Sequence, residues 1–245
     1  TTDKQMSWTL FTPNAATANR SALTNPPDLA TRGRMVIRGS SSAGWPKYSM
    51  NIEAWNESNE DTDFAPLGMA PEADWVLQSN YDYDRGMIRN PFMYEFSNRI
   101  GRWAPKWRFV EVFANTNDGT LDYPGDYMGV YAIMEKPERG NDRINVERLD
   151  KNDLSGDDLT GGYIVKVDRL DPGTSGWATT RNFPLTEPFG TEVRLNYGYP
   201  EEVPAPAPAI PAAQSAYIRN YVQAFEDAVV QPNRTNPATG LHYSD

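Results

Sequence analysis

The sequence predicts an α+β protein built on an antiparallel sheet, with packed helices. Three observations carry this. Short segments with strand-like alternation recur along the chain. Only two segments space their apolar residues as a helix does. The strand-like segments mostly neighbour one another in sequence.

Taken in order, residues 12–33 are rich in Thr, Asn, Ala and Pro and read as a loop. "RMVIR" at 34–38 reads as a strand, and 48–55 as its partner. In that partner, Met50 and Ile52 point one way and Asn51 and Glu53 the other. "NESNEDTD" at 56–63 is an acidic turn, and "DWVLQSN" at 74–80 another strand. The first helix begins at Asn90, with Asn90 as N-cap and Pro91 in the first turn. Phe92, Met93, Phe96 and Ile100 mark its apolar face, and Gly101 ends it.

"WRFVEVFAN" at 107–115 alternates like a half-buried strand. "YMGVYAIMEK" at 127–136 is its antiparallel neighbour, across a long loop that opens on an Asn-Asp-Gly turn signal. "GGYIVKVDR" at 161–169 and "EVRLNY" at 192–197 add two strands. "EEVPAPAPAIPAA" at 201–213 is extended by its prolines, either as a linker between lobes or as a surface strap. A second helix follows over about 212–230, with Ile218, Val222, Phe225 and Val229 on one face.

The 245 residues suffice for one large domain or two small ones. Net charge is −10, from 33 acidic and 23 basic residues. This argues against nucleic-acid binding and against adsorption to an anionic membrane. No apolar run reaches the roughly 18 residues of a membrane span. Cysteine is absent, which excludes disulfides, thiolate metal sites and cysteine nucleophiles. His242 is the one histidine, so any metal here is a hard cation on oxygen ligands.

The segment "IRGSSSAGWPKYSMNIEAW" at 37–55 is the first candidate site. Backbone N–H groups in a Gly/Ser turn can converge on an anion, and Ser40, Ser41 and Ser42 add hydroxyl donors. Arg38 and Lys47 bring positive charge from either side. A polar hairpin with two exposed cations is the plainer alternative. Asp82 and Asp84, two apart before Arg85 and Arg89, suit either a cation site or a turn that caps the following helix; the cap is favoured. Glu135 follows an apolar strand, and a buried carboxylate there needs a cationic partner such as Lys47 or Arg38. Trp75, Trp107, Tyr131 and Tyr163 lie in strands and read as core rather than as sugar platforms.

Four stretches, in this order, resemble the spore-coat protein H (CotH) kinase family. They are "RGSSSAGWPKYSMNIE", "LGMAPEADWVLQSNYDYDRGMIRNPFMYEFSNRIGRWAP", "RFVEVFANTNDG" with "YMGVYAIMEKPERGNDRI", and "GGYIVKVDR". Together they cover about residues 34 to 169. The resemblance implies an atypical, protein-kinase-like fold: a first lobe over 34–200 after an extension at 1–33, the linker at 201–213, and the start of a second lobe at 214–245. It implies a bacterial, secreted or spore-surface protein. The implied activity is phosphoryl transfer from ATP, with Mg2+, to serine-rich protein. By that resemblance Arg38 and Ser40, Ser41 and Ser42 sit over the phosphates, Lys47 pairs with phosphate oxygens, and Glu135 holds Lys47 in place. Arg89 and Asn90 match the family's Arg-Asn at the helix start.

The chain departs from the family pattern at Tyr48, where a second cation is usual, and in its long acidic hairpin. The family's catalytic and metal-binding aspartates are expected beyond Asp245, so this chain is expected to show weak activity or none. Two rivals remain: a non-catalytic extracellular module that binds carbohydrate or protein, and a structural piece of a coat or surface layer.

Overall fold

In a computed structural model the protein is α+β, with an antiparallel sheet and few helices. The structure describes residues 4–13, 20–39, 41–81, 83–170, 176–181, 185–186, 192–201, 209–230, 235–236 and 239–242. The chain divides into two compact units, Thr1–Pro137 and Glu138–Asp245.

The first unit is a six-stranded sheet. Its strands are β1 (Lys4–Leu10), β2 (Leu29–Arg38), β3 (Ser49–Trp55), β4 (Asp74–Gln78), β5 (Trp107–Phe113) and β6 (Tyr127–Glu135). Their order across the sheet is β1-β2-β3-β4-β6-β5, and every pair is antiparallel. β6 inserts beside β4, which leaves β5 at the edge. Helix α1 (Arg89–Arg99) lies in the connection between β4 and β5.

Alternation sorts the side chains. Met50, Ile52 and Ala54 are buried while the residues between them are not. Met50, Ile52, Trp75, Tyr131 and Ile133 come from three adjacent strands and form one core with Met69. Trp8 and Phe64 extend it by an edge-on ring contact at 4.7 Å. The sheet curls, so that Leu10 and Leu29 at one edge and Arg108 and Phe109 at the other line one cavity of about 670 Å3.

The second unit holds β7 (Ile164–Asp168), β8 (Leu185–Thr186) and β9 (Glu192–Tyr199), in the order β7-β9-β8. It also holds a short α2 (Gly156–Thr160) and α3 (Ala212–Val229). Ile218 of α3 packs on Trp177, Leu195 and Tyr197. Gln214, fully buried, donates from Nε2 to the Asp150 carbonyl at 2.6 Å and ties α3 to a loop.

Two expectations need correction. Residues 29–33 are not loop but the first half of β2, where β1 gives their backbone groups ladder partners. The proline-rich stretch expected as a linker at 201–213 lies mostly (202–208) outside the described residues. The division into compact units falls at 137/138, and β9 and α3 share one core within the second. α1 starts at Arg89 with Ile88 as its N-cap, two residues before the expected cap at Asn90. Gly101 does end it, at φ +80, with the Gly101 N–H donating to Asn98 and the Arg102 N–H to Ser97. Among the described residues no helix is long and apolar enough to cross a membrane.

Candidate functional site

The β2–β3 connection carries the first group of candidates. β2 ends at Arg38, Gly39 turns the chain at φ +106, and residues Ser41–Gly44 make one 3-10 turn. Gly39 suits this position because its φ is left-handed; the Ser42 hydroxyl lies close by, 2.3 Å from where a methyl on Gly39 would fall. Ser40 lies outside the described residues.

Lys47 has the most specific environment. Its ammonium donates to the Ser79 carbonyl at 3.0 Å and to the Val130 carbonyl, and lies 4.7 Å over the Tyr131 ring. It thereby closes the sheet just beyond the end of β4. Ser79 is fixed in turn: its N–H donates to the Ser49 hydroxyl at 3.0 Å, and the two hydroxyls lie 3.1 Å apart. Burial pushes the Lys47 pKa below its usual 10.5. Burial also drives the Tyr131 phenol up to about 12, with Tyr48 adding to the shift, so that ring stays neutral beneath the ammonium. Among the described residues no carboxylate forms an ion pair with Lys47.

Glu135 does not hold Lys47. Both involve β6, but Lys47 bonds at Val130 and Glu135 lies five residues along the same strand, roughly 16 Å away at extended spacing. The Glu135 carboxylate is buried and accepts the Lys106 N–H at 2.9 Å on one oxygen. Its other oxygen is buried without a hydrogen bond. The role is local, at the start of β5.

Arg38 and Lys47 do not converge either. Arg38 pairs across the ladder with Ser49, one residue beyond Ile37 and Met50, and so projects from the face opposite the core. Lys47 reaches the core face, over Tyr131. Arg38 instead lies near α1: burial raises the Tyr94 phenol pKa, and the Arg38 charge opposes that rise. One anion gripped by both cations, the reading that the cation-flanked turn invites, is not what the backbone builds.

Asp84 is a helix cap. It is buried and accepts the Arg89 N–H at 2.8 Å, which satisfies an amide at the α1 N-terminus. Asp82 lies outside the described residues. Among the described residues no three acidic or histidine side chains group as a metal-ligand set, so no ligand is assigned to a metal.

Sequence reasoning missed three neighbours of Lys47. Ser79 supplies its acceptor. Asn80 follows at φ +47, buried, with neither amide atom hydrogen-bonded. Trp45 stands between Tyr83 and Tyr81, at 5.5 and 6.1 Å between ring centroids, and the two tyrosines are exposed. The aromatic spacing "WPK" and "NYDYD" was visible, but only the fold brings the two segments together.

A sequence model of the CotH kinase protein family matches residues 35–236. The chain belongs to the CotH family. The match takes in β3 to β9 and reaches past α3, well beyond the four stretches that carry the resemblance by eye. Searches of curated proteins and of solved structures returned no match.

Proposed function

We propose that this CotH-family chain supplies the nucleotide-phosphate contact of a protein kinase of the cell or spore surface, with Lys47 as that contact. The single observation that supports it is the state of Lys47. A half-buried ammonium held only by two carbonyls and a ring lacks the anion that burial of a charge calls for. Folding lowers its pKa, so the charged form costs stability at neutral pH; the stability returns only above 10.5 and is lost as pH falls through the folded value. A phosphate oxygen beside the ammonium removes that cost, and raises the pKa again.

In this reading the complete protein uses ATP and Mg2+ and modifies serine-rich protein. ATP supplies the phosphoryl group. The Lys47 ammonium orients its phosphate tail, while the Tyr131 ring and the Ser79 carbonyl fix the ammonium. The antiparallel sheet followed by a helix plays the part of a kinase first lobe. Arg38 and Glu135 have no place at the phosphates, and no catalytic base is assigned.

The test is a titration of ATP against the native protein and Lys47→Met. ATP should bind the native protein at least tenfold more tightly than the variant, about 1.4 kcal/mol. Adenosine, lacking phosphates, should not discriminate between the two. Equal affinity of both proteins for ATP overturns the reading.

A second reading rests on half-buried Trp45 and the exposed rings of Tyr81 and Tyr83, aromatic faces of the kind that meet a sugar. It makes the chain a non-catalytic carbohydrate-binding module. Trp45→Ala then abolishes oligosaccharide binding, and Lys47→Met leaves it intact.

A further inference from the structure

α1 is a helix turned inside out. Pro91, Tyr94 and Asn98 face inward, with Pro91 buried and Asn98 clasping the backbone of Ala104 by two 3.0 Å hydrogen bonds. The apolar stripe of Ile88, Phe92, Met93, Phe96 and Ile100 faces out, and Phe92 and Phe96 stack on each other there at 6.4 Å. Phe92 is 64% exposed and Ile100 60%. Five such side chains present on the order of 500 Å2 of apolar surface, the size of a functional patch.

Beside the stripe runs a groove of about 310 Å3. Glu95 and Asn98 of α1 form one wall, and Lys106, Trp107, Arg108 and Phe109 of the edge strand form the other. By helical spacing Glu95 lies next to Phe92 and Arg99, so stripe and groove are continuous.

The charge around this surface is opposite to that of the chain. The exposed cations on α1 and at the groove are Arg89, Arg99, Lys106 and Arg108. The exposed acids on these elements are already bonded, Glu95 to Arg99 at 2.7 Å and Glu111 to the Tyr127 hydroxyl at 3.1 Å, and Asp84 is buried. A basic rim on a protein of net charge −10 is a local feature that bulk composition hides.

We propose that the outer face of α1, with the groove along β5, docks an acidic segment of a protein partner that carries apolar anchors. The apolar anchors cover Phe92 and Phe96, and carboxylates meet Lys106, Arg108 and the arginines of the rim. This is the helix-and-groove mode of peptide recognition, in which a few aromatic residues carry most of the affinity and charge sets the partner. A second copy of the chain fits less well, because a two-fold contact sets one basic rim against the other. An anionic membrane also fits less well, because it repels the chain as a whole. The proposal is independent of the nucleotide reading.

The probe is a fluorescent synthetic helix with leucines at i, i+4 spacing flanked by glutamates, titrated with the full chain and followed by anisotropy. Its twin carries lysine at each glutamate position. The acidic peptide should bind saturably, and at least tenfold more weakly to the Phe92→Ser/Phe96→Ser variant. The Lys106→Glu/Arg108→Glu variant should lose the acidic peptide and gain its lysine twin. All four side chains are exposed, and circular dichroism verifies that the variants fold. Absence of saturable binding by the acidic peptide overturns the proposal, as does equal binding of both peptides. So does binding confined to phosphatidylserine vesicles, or a dimer in sedimentation that Phe92→Ser/Phe96→Ser dissolves.

Discussion

α1 and α3 carry the same kind of sequence signal and put it to opposite uses. Each spaces large apolar residues four apart, Phe92–Phe96–Ile100 in one and Ile218–Val222 in the other. α3 turns the first half of that face inward: Ile218 is 6% exposed, against Trp177, Leu195 and Tyr197, and Val222 packs beside it, while Phe225 and Val229, expected on the same face, are exposed. α1 turns it outward and is held by polar groups, Asp84 at its start and Asn98 at its end. Periodicity states which residues share a face. It does not state whether the fold covers that face. What decides is the anchor: Asn98 bonds both the N–H and the C=O of buried Ala104, and that fixes the rotation of α1 against the pull of its own phenylalanines.

The largest way to break this contrast is to truncate one residue of each stripe. Ile218→Ala should cost about 2–4 kcal/mol in urea denaturation, from lost burial plus the cavity left behind. The matching change, Phe92→Ala, should stay within about 0.5 kcal/mol of the native protein. Comparable losses at both positions would mean that α1 buries its stripe in solution.

The next effect sharpens the role of the anchors. Asn98→Ala removes two hydrogen bonds and leaves the Ala104 N–H and C=O unpartnered, at a cost of about 1–3 kcal/mol. Gln214→Leu in α3 should cost a similar amount, since it strips the Asp150 carbonyl of a donor. In the Gln214→Leu variant Ile218 still packs α3 on its core, so α3 should stay protected from amide exchange, whereas Asn98→Ala should also raise exchange throughout α1. Uniform protection in both variants would show that polar anchors do not decide how α1 sits.

Much of the fold was legible in the sequence, and the reason is local. β3 alternates between buried and half-buried positions, and β5 pairs with β6 across the long hairpin, as side-chain pattern alone requires. β1 was legible and passed over: Met6, Trp8 and Leu10 alternate with Gln5, Ser7 and Thr9. The candidate site was legible only in part. Lys47 stood out by its setting between two strands, but its partners, Ser79 and Val130, are 32 and 83 residues away in the chain. Backbone carbonyls carry no sequence signature, so neither acceptor could be read. The Lys47–Glu135 pairing failed for a related reason. A family resemblance names residues but not their height along a strand, and five residues of β6 separate the two.

The smallest stability effect tests the end of α1. Gly101 sits one residue past the Ile100 C-cap at φ +80, where a side chain is strained, and nothing lies near enough for an added methyl to touch. Gly101→Ala therefore probes backbone strain alone, at about 1 kcal/mol. Its consequence should stay local. The Arg102 N–H to Ser97 and Gly101 N–H to Asn98 bonds that close α1 depend on that left-handed residue. Loosening them frees the last turn, which carries Ile100, yet leaves the Asp84 cap in place. Thermal denaturation should record a modest drop, and amide exchange should rise at the C-terminal turn and not at Arg89. If exchange rises equally at both ends, the two caps do not act separately, and α1 is a single unit fixed by its inward face rather than by its ends.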